Sequence, residues 1–138
     1  MKKILLVIVL FINIITIQGQ VDTSSYSSVY IIRETGFTGS VRQFKVFVDG
    51  ELKCKLNNDS YTVLKISNGV HTFAVQMDGQ ELKNNTEKIE IIAETGKTYY
   101  LTSIIVAGGL WSKTYFNELP ENRALKRLPR LREAKSDK

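Results

Sequence analysis

From Val46 to Tyr100 the chain is divided into short alternating runs by Asp49-Gly50, Asn57-Asn58-Asp59, Asn68-Gly69-Val70-His71 and Gly96-Lys97-Thr98-Tyr99-Tyr100. Gly, Asn and Asp tolerate left-handed backbone angles, and the breaks recur at about the spacing of strands in a sandwich or barrel. The pattern predicts strands over Val29 to Glu34, Val41 to Asp49, Glu51 to Leu56, Ser60 to Ile66, Val70 to Asp78, Thr86 to Ala93, Lys97 to Ala107 and Ser112 to Leu119. Alternation assigns their faces. Phe44, Val46 and Val48 share one side, Phe73, Val75 and Met77 another, and Leu52, Cys54 and Leu56 turn inward with Lys53 and Lys55 opposite. Thr35 to Ser40 and Gly108-Gly109 read as loops. The expected fold is all-β, an immunoglobulin-like β-sandwich of about seven to eight strands with a short C-terminal helix.

The first residues carry a different signal. Lys2 and Lys3 precede an apolar run from Ile4 to Ile17, broken only by Asn13 and Thr16 and followed by Gln18-Gly19-Gln20, which is the order of a secretory signal. A permanent membrane helix needs about 20 apolar residues, so the run is expected to be removed after Gly19. The processed chain is then expected to be soluble outside the cytoplasm, periplasmic or extracellular. Residues 20–28 are expected to form a mobile Ser-rich lead, 29–119 the sandwich, and 120–138 a short amphipathic helix and basic tail. Pro120 suits the first position of that helix and Glu121 its positive end. Leu125 and Leu128 share one face, expected to dock on the sandwich, and Pro129 is expected to stop the turn, with frayed chain beyond.

The net charge of +5 is unevenly placed. Lys2 and Lys3 belong to the signal, and Glu121 to Lys138 holds seven Lys/Arg against three Asp/Glu, which leaves Gln20 to Pro120 at −1. A domain-wide basic surface for nucleic acid is thereby excluded. The cations sit in the tail: Arg123, Lys126, Arg127, Arg130 and Arg132. Cys54 is the only cysteine, so no internal disulfide can form and stability rests on the core.

Taken together, Tyr30-Ile31-Ile32-Arg33, Asp49-Gly50, Ser60-Tyr61, Gly69-Val70-His71 and Gly96-Lys97-Thr98-Tyr99-Tyr100 resemble a bacterial family, domain of unknown function 2846. The resemblance runs from Val29 to Val106. That family is similar to the PEGA domains, small immunoglobulin-like sandwiches of envelope and surface proteins. The resemblance implies an exported, non-catalytic sandwich and brings no substrate, cofactor or active site.

The residues themselves point the same way. His71 is the only histidine and shares a strand face with Phe73 and Val75, with no Cys within ligand spacing, so a hydrogen-bonded place at the core edge is expected rather than a metal site. Cys54 and His71 would nominally make a nucleophile and a base, but Cys54 reads as mid-strand and inward. Gly-x-Ser-x-Gly, phosphate-loop and dinucleotide patterns are missing from the sequence. No catalytic, cofactor or metal residue is therefore expected.

Six residues remain as binding candidates. Arg33 ends the first strand, where its charge must meet solvent, a carboxylate or a ligand. Tyr99 and Tyr100 project to opposite faces, so one is expected in the core and the other available. Trp111 and Tyr115 alternate with Lys113 onto one face, and His71 completes the set. A core Tyr and a salt-bridged Arg are the favoured reading of their types. Two functions follow. The first is a structural or interaction module of the bacterial cell envelope, partnered by an envelope protein or surface polysaccharide. The second is peripheral binding of anionic lipid or polysaccharide through the basic tail, a weak and salt-sensitive membrane contact. Removing Glu121 to Lys138 is expected to spare binding in the first case and abolish it in the second.

Overall fold

Eight of the expected strands form, and the alternation that marks them in the sequence sorts their side chains between two sheets. The computed structural model describes residues 25–37, 39–108 and 111–134, with nothing of the Trp111 side chain. The expected signal at 1–19 and the lead up to residue 24 lie outside the described residues. The strands are β1 (Tyr26–Arg33), β2 (Phe44–Val48), β3 (Glu51–Leu56), β4 (Ser60–Ser67), β5 (Gly69–Gln76), β6 (Lys88–Ala93), β7 (Thr98–Gly108), β8 (Trp111–Glu118) and β9 (Arg132–Glu133). One sheet has the order β8-β7-β1-β4-β9 and the other β3-β2-β5-β6. β1 lies between β4, to which it is antiparallel, and β7, to which it is parallel.

The inward faces meet in one core. Val29, Ile31 and Leu101 from the five-stranded sheet pack with Phe44, Val46, Phe73 and Val75 from the four-stranded sheet, all at 0% exposure. Full burial of a side chain of this kind stabilises by about 1.5–3 kcal/mol. Cys54 and Leu56 are buried with them, as the alternation in β3 predicts.

Three boundaries differ from expectation for identifiable reasons. β1 starts at Tyr26, inside the stretch expected to be mobile, because Ser67 and Ile66 of β4 pair with Tyr26 and Ser27. β2 starts only at Phe44, because turns closed by Ser40 N to Phe37 O (3.2 Å) and Arg42 N to Gly39 O (3.1 Å) occupy the residues before it. β6 starts at Lys88, because Thr86 is held by Gln76 instead of by a strand.

The C-terminal segment belongs to the fold. Helix α1 (Glu121–Arg127) begins one residue later than expected, with Pro120 as the flanking residue whose carbonyl accepts from Arg123 N and Ala124 N at 2.9 and 3.0 Å. The helix covers the outer face of the five-stranded sheet, where Ile32, Tyr100, Leu119 and Ala124 form a second cluster with Tyr30, Tyr61, Leu128 and Leu131 around it. The docked stripe is thus Ala124 with Leu128, and Leu125, expected on it, is 54% exposed. A small alanine lets the helix lie close to the sheet face that carries Tyr30, Tyr61 and Tyr100, which a leucine at the same place would hold away. The α-helix ends at Arg127, just before Pro129, and the chain continues in a 3₁₀ turn (Leu128–Arg130) that places the proline at a position needing no N–H. The chain expected to fray instead forms β9, through Arg132 N to Asp59 O at 3.1 Å and Ala134 N to Tyr61 O at 2.7 Å.

Candidate functional site

Connections gather at the two ends of the sandwich, and the candidate residues divide between them. One end carries the β1–β2 loop, the β3–β4 turn, the β5–β6 connection and β9. Arg33 organises it. The pleat that turns Val29 and Ile31 inward also turns Arg33 inward, and its exposure is 0%. Its guanidinium lies 3.7 Å from the Phe44 ring centre, and it donates from Nη1 to Leu56 O at 2.5 Å and from Nη2 to Gly39 O at 2.8 Å. Its Nε has no hydrogen-bond partner among the described residues. Burial lowers the guanidinium to about 10 while the Asp59 charge acts in the opposite sense, so it remains a cation at neutral pH. The expected surface ion pair is replaced by carbonyls and an aromatic face. The physical reason is depth: the side chain ends within the core before it reaches a carboxylate.

The bond to Gly39 fixes the β1–β2 loop. Gly39 has φ +72°, and a Cβ there would lie 3.1 Å from Ile105 Cδ1, so the residue has both a backbone and a space requirement for glycine. Asn58 holds the first half of the same loop. Its Oδ1 accepts from Thr35 N at 3.0 Å and Thr35 Oγ1 at 2.9 Å, and its Nδ2 donates to Gly36 O at 2.8 Å. Between and beyond these anchors stand Phe37 and Val41, each 97% exposed. The sequence reading missed both, because Val41 looked like the first residue of a strand. The available signal was the glycine on either side of Phe37, at 36 and 39.

Next to the loop, a cleft of about 410 Å³ opens between β5, β8 and the β5–β6 connection. Gln76 shapes it with a fully used amide: Nε2 donates to Asp78 O and Glu81 O at 2.8 Å each, and Oε1 accepts from Lys83 N and Thr86 Oγ1 at 3.1 Å each. Two ion pairs flank it, Arg42 to Asp78 at 3.0 Å and Lys113 to Glu87 at 2.5 Å. Glu87 raises the Lys113 ammonium above its ordinary value by hydrogen bond and charge. Tyr115 lies half-buried on the same strand with Lys113 Nζ 5.9 Å from its ring centre. Trp111 opens β8 opposite Gly108.

The tail cations fall in two places. Arg127 reaches this loop end, 3.7 Å from Glu34, and Arg132 pairs in β9 with Ser60 at the start of β4. Arg130 and Arg132 are exposed there, while Arg123 and Lys126 are exposed along α1. Among the described residues these four form no ion pair.

The other candidates serve the opposite end. His71 Nδ1 donates to Asp49 Oδ2 at 2.6 Å, and Nε2 lies 3.1 Å from Ser67 O and 3.4 Å from Ser67 Oγ. The ring thereby ties two turns together at the core edge. Partial burial pushes the Asp49 carboxyl up, but hydrogen bonds from His71 and Thr72 outweigh it and leave it below its usual value. Tyr99 faces the main core, with its hydroxyl donating to Ile92 O at 2.8 Å and accepting from Glu94 N at 3.1 Å. This tyrosine closes the corner where the chain passes from one sheet to the other. Tyr100 is buried under α1, with its hydroxyl 3.3 Å from Glu121, and burial and that carboxylate raise its pKa. Both tyrosines are therefore built into the frame.

A family model described as Protein of unknown function (DUF2846) matches residues 23–114, which contain β1 to β7, the Arg33-anchored loop and both turns joined by His71. The chain belongs to that family. DUF2846 accordingly covers more of the chain at both ends than the motifs alone suggest, and it carries no assigned activity. No curated protein and no solved structure matches the chain. The match to DUF2846 stops at Thr114, so α1, β9 and the exposed cations lie outside the matched stretch. Among the described residues, no cluster of three or more His, Cys, Asp or Glu could hold a metal ion, and no helix is long and apolar enough to cross a membrane.

Proposed function

We propose that this DUF2846 protein works outside the cytoplasm as a non-catalytic interaction module of the bacterial cell envelope. The observation that carries the reading is the loop of Phe37 and Val41, each 97% exposed on a backbone pinned by Arg33 and Asn58. Folding gains nothing from placing two apolar side chains in water, and a loop that is free to relax would turn them inward. The groups that could do chemistry are meanwhile committed to the frame: His71 to Asp49 and Ser67, Arg33 to two carbonyls, and Cys54 to the core. The dilysine start and short apolar run support export.

Cell fractionation and affinity capture test this together. The chain is expected outside the cytoplasm only when residues 1–19 are present, and to retain envelope components that Phe37→Ser with Val41→Ser no longer retains. Quantitative recovery of the intact chain in the cytoplasm would overturn the reading. A second reading, peripheral binding of anionic lipid or polysaccharide through 120–138, is favoured by the exposure of Arg123, Lys126, Arg130 and Arg132 without ion pairs among the described residues.

A further inference from the structure

We infer that the loop end of the sandwich docks on an anionic phospholipid surface, with Phe37 and Val41 entering the headgroup boundary and Arg130 and Arg132 contacting the phosphates. This rests on the interaction-module reading and names its partner. The two apolar residues stand on a single loop, each almost wholly solvated. A stable protein interface buries roughly 800 Å² per partner around an apolar centre, which two side chains alone do not provide. A bilayer boundary asks less. Shallow insertion of one or two side chains adds to the attraction of nearby cations for acidic headgroups, and neither alone suffices.

The geometry supplies both parts at one end. Arg132 of β9 stands opposite Ser60, at the beginning of β4, and Ser60 is in turn opposite Arg33, from which the loop departs. Arg127 meets Glu34 in the first residue of that loop, so the 3₁₀ turn carrying Arg130 is held beside it. Arg42, within the loop, has its charge balanced by Asp78, whereas Arg130 and Arg132 have no carboxylate partner among the described residues. Arg130 and Arg132 thus stand beside the apolar tips as exposed cations, with the exposed carboxylates of Asp59 and Glu133 next to Arg132. Arg33 and Asn58 fix the loop before any surface is met, so little ordering entropy opposes docking. A polysaccharide would use the cations and could stack on Phe37, but it would leave Val41 without a role.

The test is sedimentation of the chain from Gln20 onward, which holds every strand of both sheets and lacks the apolar run that would itself enter lipid. Vesicles of phosphatidylcholine with phosphatidylglycerol are compared with pure phosphatidylcholine, at low and physiological salt. Expected is binding to the anionic vesicles only, weakened about tenfold by Phe37→Ser with Val41→Ser and about tenfold by Arg130→Glu with Arg132→Glu. Circular dichroism establishes that both variants fold. Arg123→Glu with Lys126→Glu, on the helix, is expected to have a smaller effect. Failure of the parent chain to bind, indifference to both loop-end pairs, or dependence on the helix pair alone would overturn lipid docking. Loss of lipid binding with retained, Phe37-dependent capture of an envelope protein would reject the membrane and leave the interaction-module reading standing.

Discussion

His71 and Asp49 join the β2–β3 turn to the start of β5 through a 2.6 Å contact between Nδ1 and Oδ2. Asp49 sits at φ 52°, so the residue that accepts from His71 also occupies a left-handed position. Its other oxygen accepts from Thr72 N at 2.9 Å. Asp49→Ala is expected to lose all three contributions and Asp49→Gly only the hydrogen bonds, a difference of about 1 kcal/mol in urea unfolding. Equal costs for the two substitutions would mean the backbone angle matters little.

The same carboxylate predicts an acid response. Its folded pKa lies below the ordinary 3.8, so its contribution to stability is complete above that value and is lost as pH falls through the lower folded value. Half of its side chain is exposed, so the size of the effect is modest and salt-sensitive. Acid titration of unfolding midpoints for the parent and Asp49→Asn is expected to converge at low pH and separate above the carboxylate range.

Arg33→Ala is expected to cost about 3–5 kcal/mol, because it removes a buried side chain and leaves the Leu56 and Gly39 carbonyls without their donors. The loss has a local signature. Limited proteolysis is expected to cut the β1–β2 loop of the variant well before the rest of the domain, whereas uniform digestion would argue against a loop anchor.

Eight strand positions were legible because their turn residues and period-two faces agree, and β3 matches from Glu51 to Leu56. Arg33 was misread although the same alternation placed it: a charged residue after Val29 and Ile31 was given a salt bridge by its chemistry while its parity pointed inward. The helix face was misread for the converse reason. Leu125 looked like the docking residue by hydrophobicity, but the close approach to Tyr30 and Tyr100 selects Ala124. β9 spans two residues, too few for any period to declare itself.

Tyr99→Phe changes one oxygen and isolates the corner. The Ile92 carbonyl and the Glu94 N–H both lose a partner, at an expected cost of about 1–2 kcal/mol. Hydrogen exchange is expected to rise first at Glu94 to Lys97, and a variant as protected there as the parent would show the corner holds without the hydroxyl.

Cys54 is 2% exposed and packs in the main core. Cys54→Ala is expected to cost on the order of 1 kcal/mol and to leave binding unchanged. A thiol reagent is expected to label the native protein only at the rate of unfolding, so rapid labelling would contradict the burial.

Truncation after Glu118 is expected to destabilise the domain and expose Tyr30, Ile32 and Tyr100 together, read as dye binding and aggregation. Charge reversal rather than truncation is therefore the way to ask what the cations do. A truncated domain with an unchanged melting midpoint would show that α1 contributes little.

The pairing of Ser60 with Arg132 has a consequence for the order in which the molecule can be completed. The start of β4 is made long before the segment that flanks it, and for that interval its N–H and C=O groups beside Ser60 and Tyr61 are bare. Until residues 132–134 dock, the sheet offers a neighbouring chain the edge that β9 will later occupy. Seating of the C-terminal segment and closure of this edge are thus one event, and a chain whose segment is displaced carries a built-in adhesive edge.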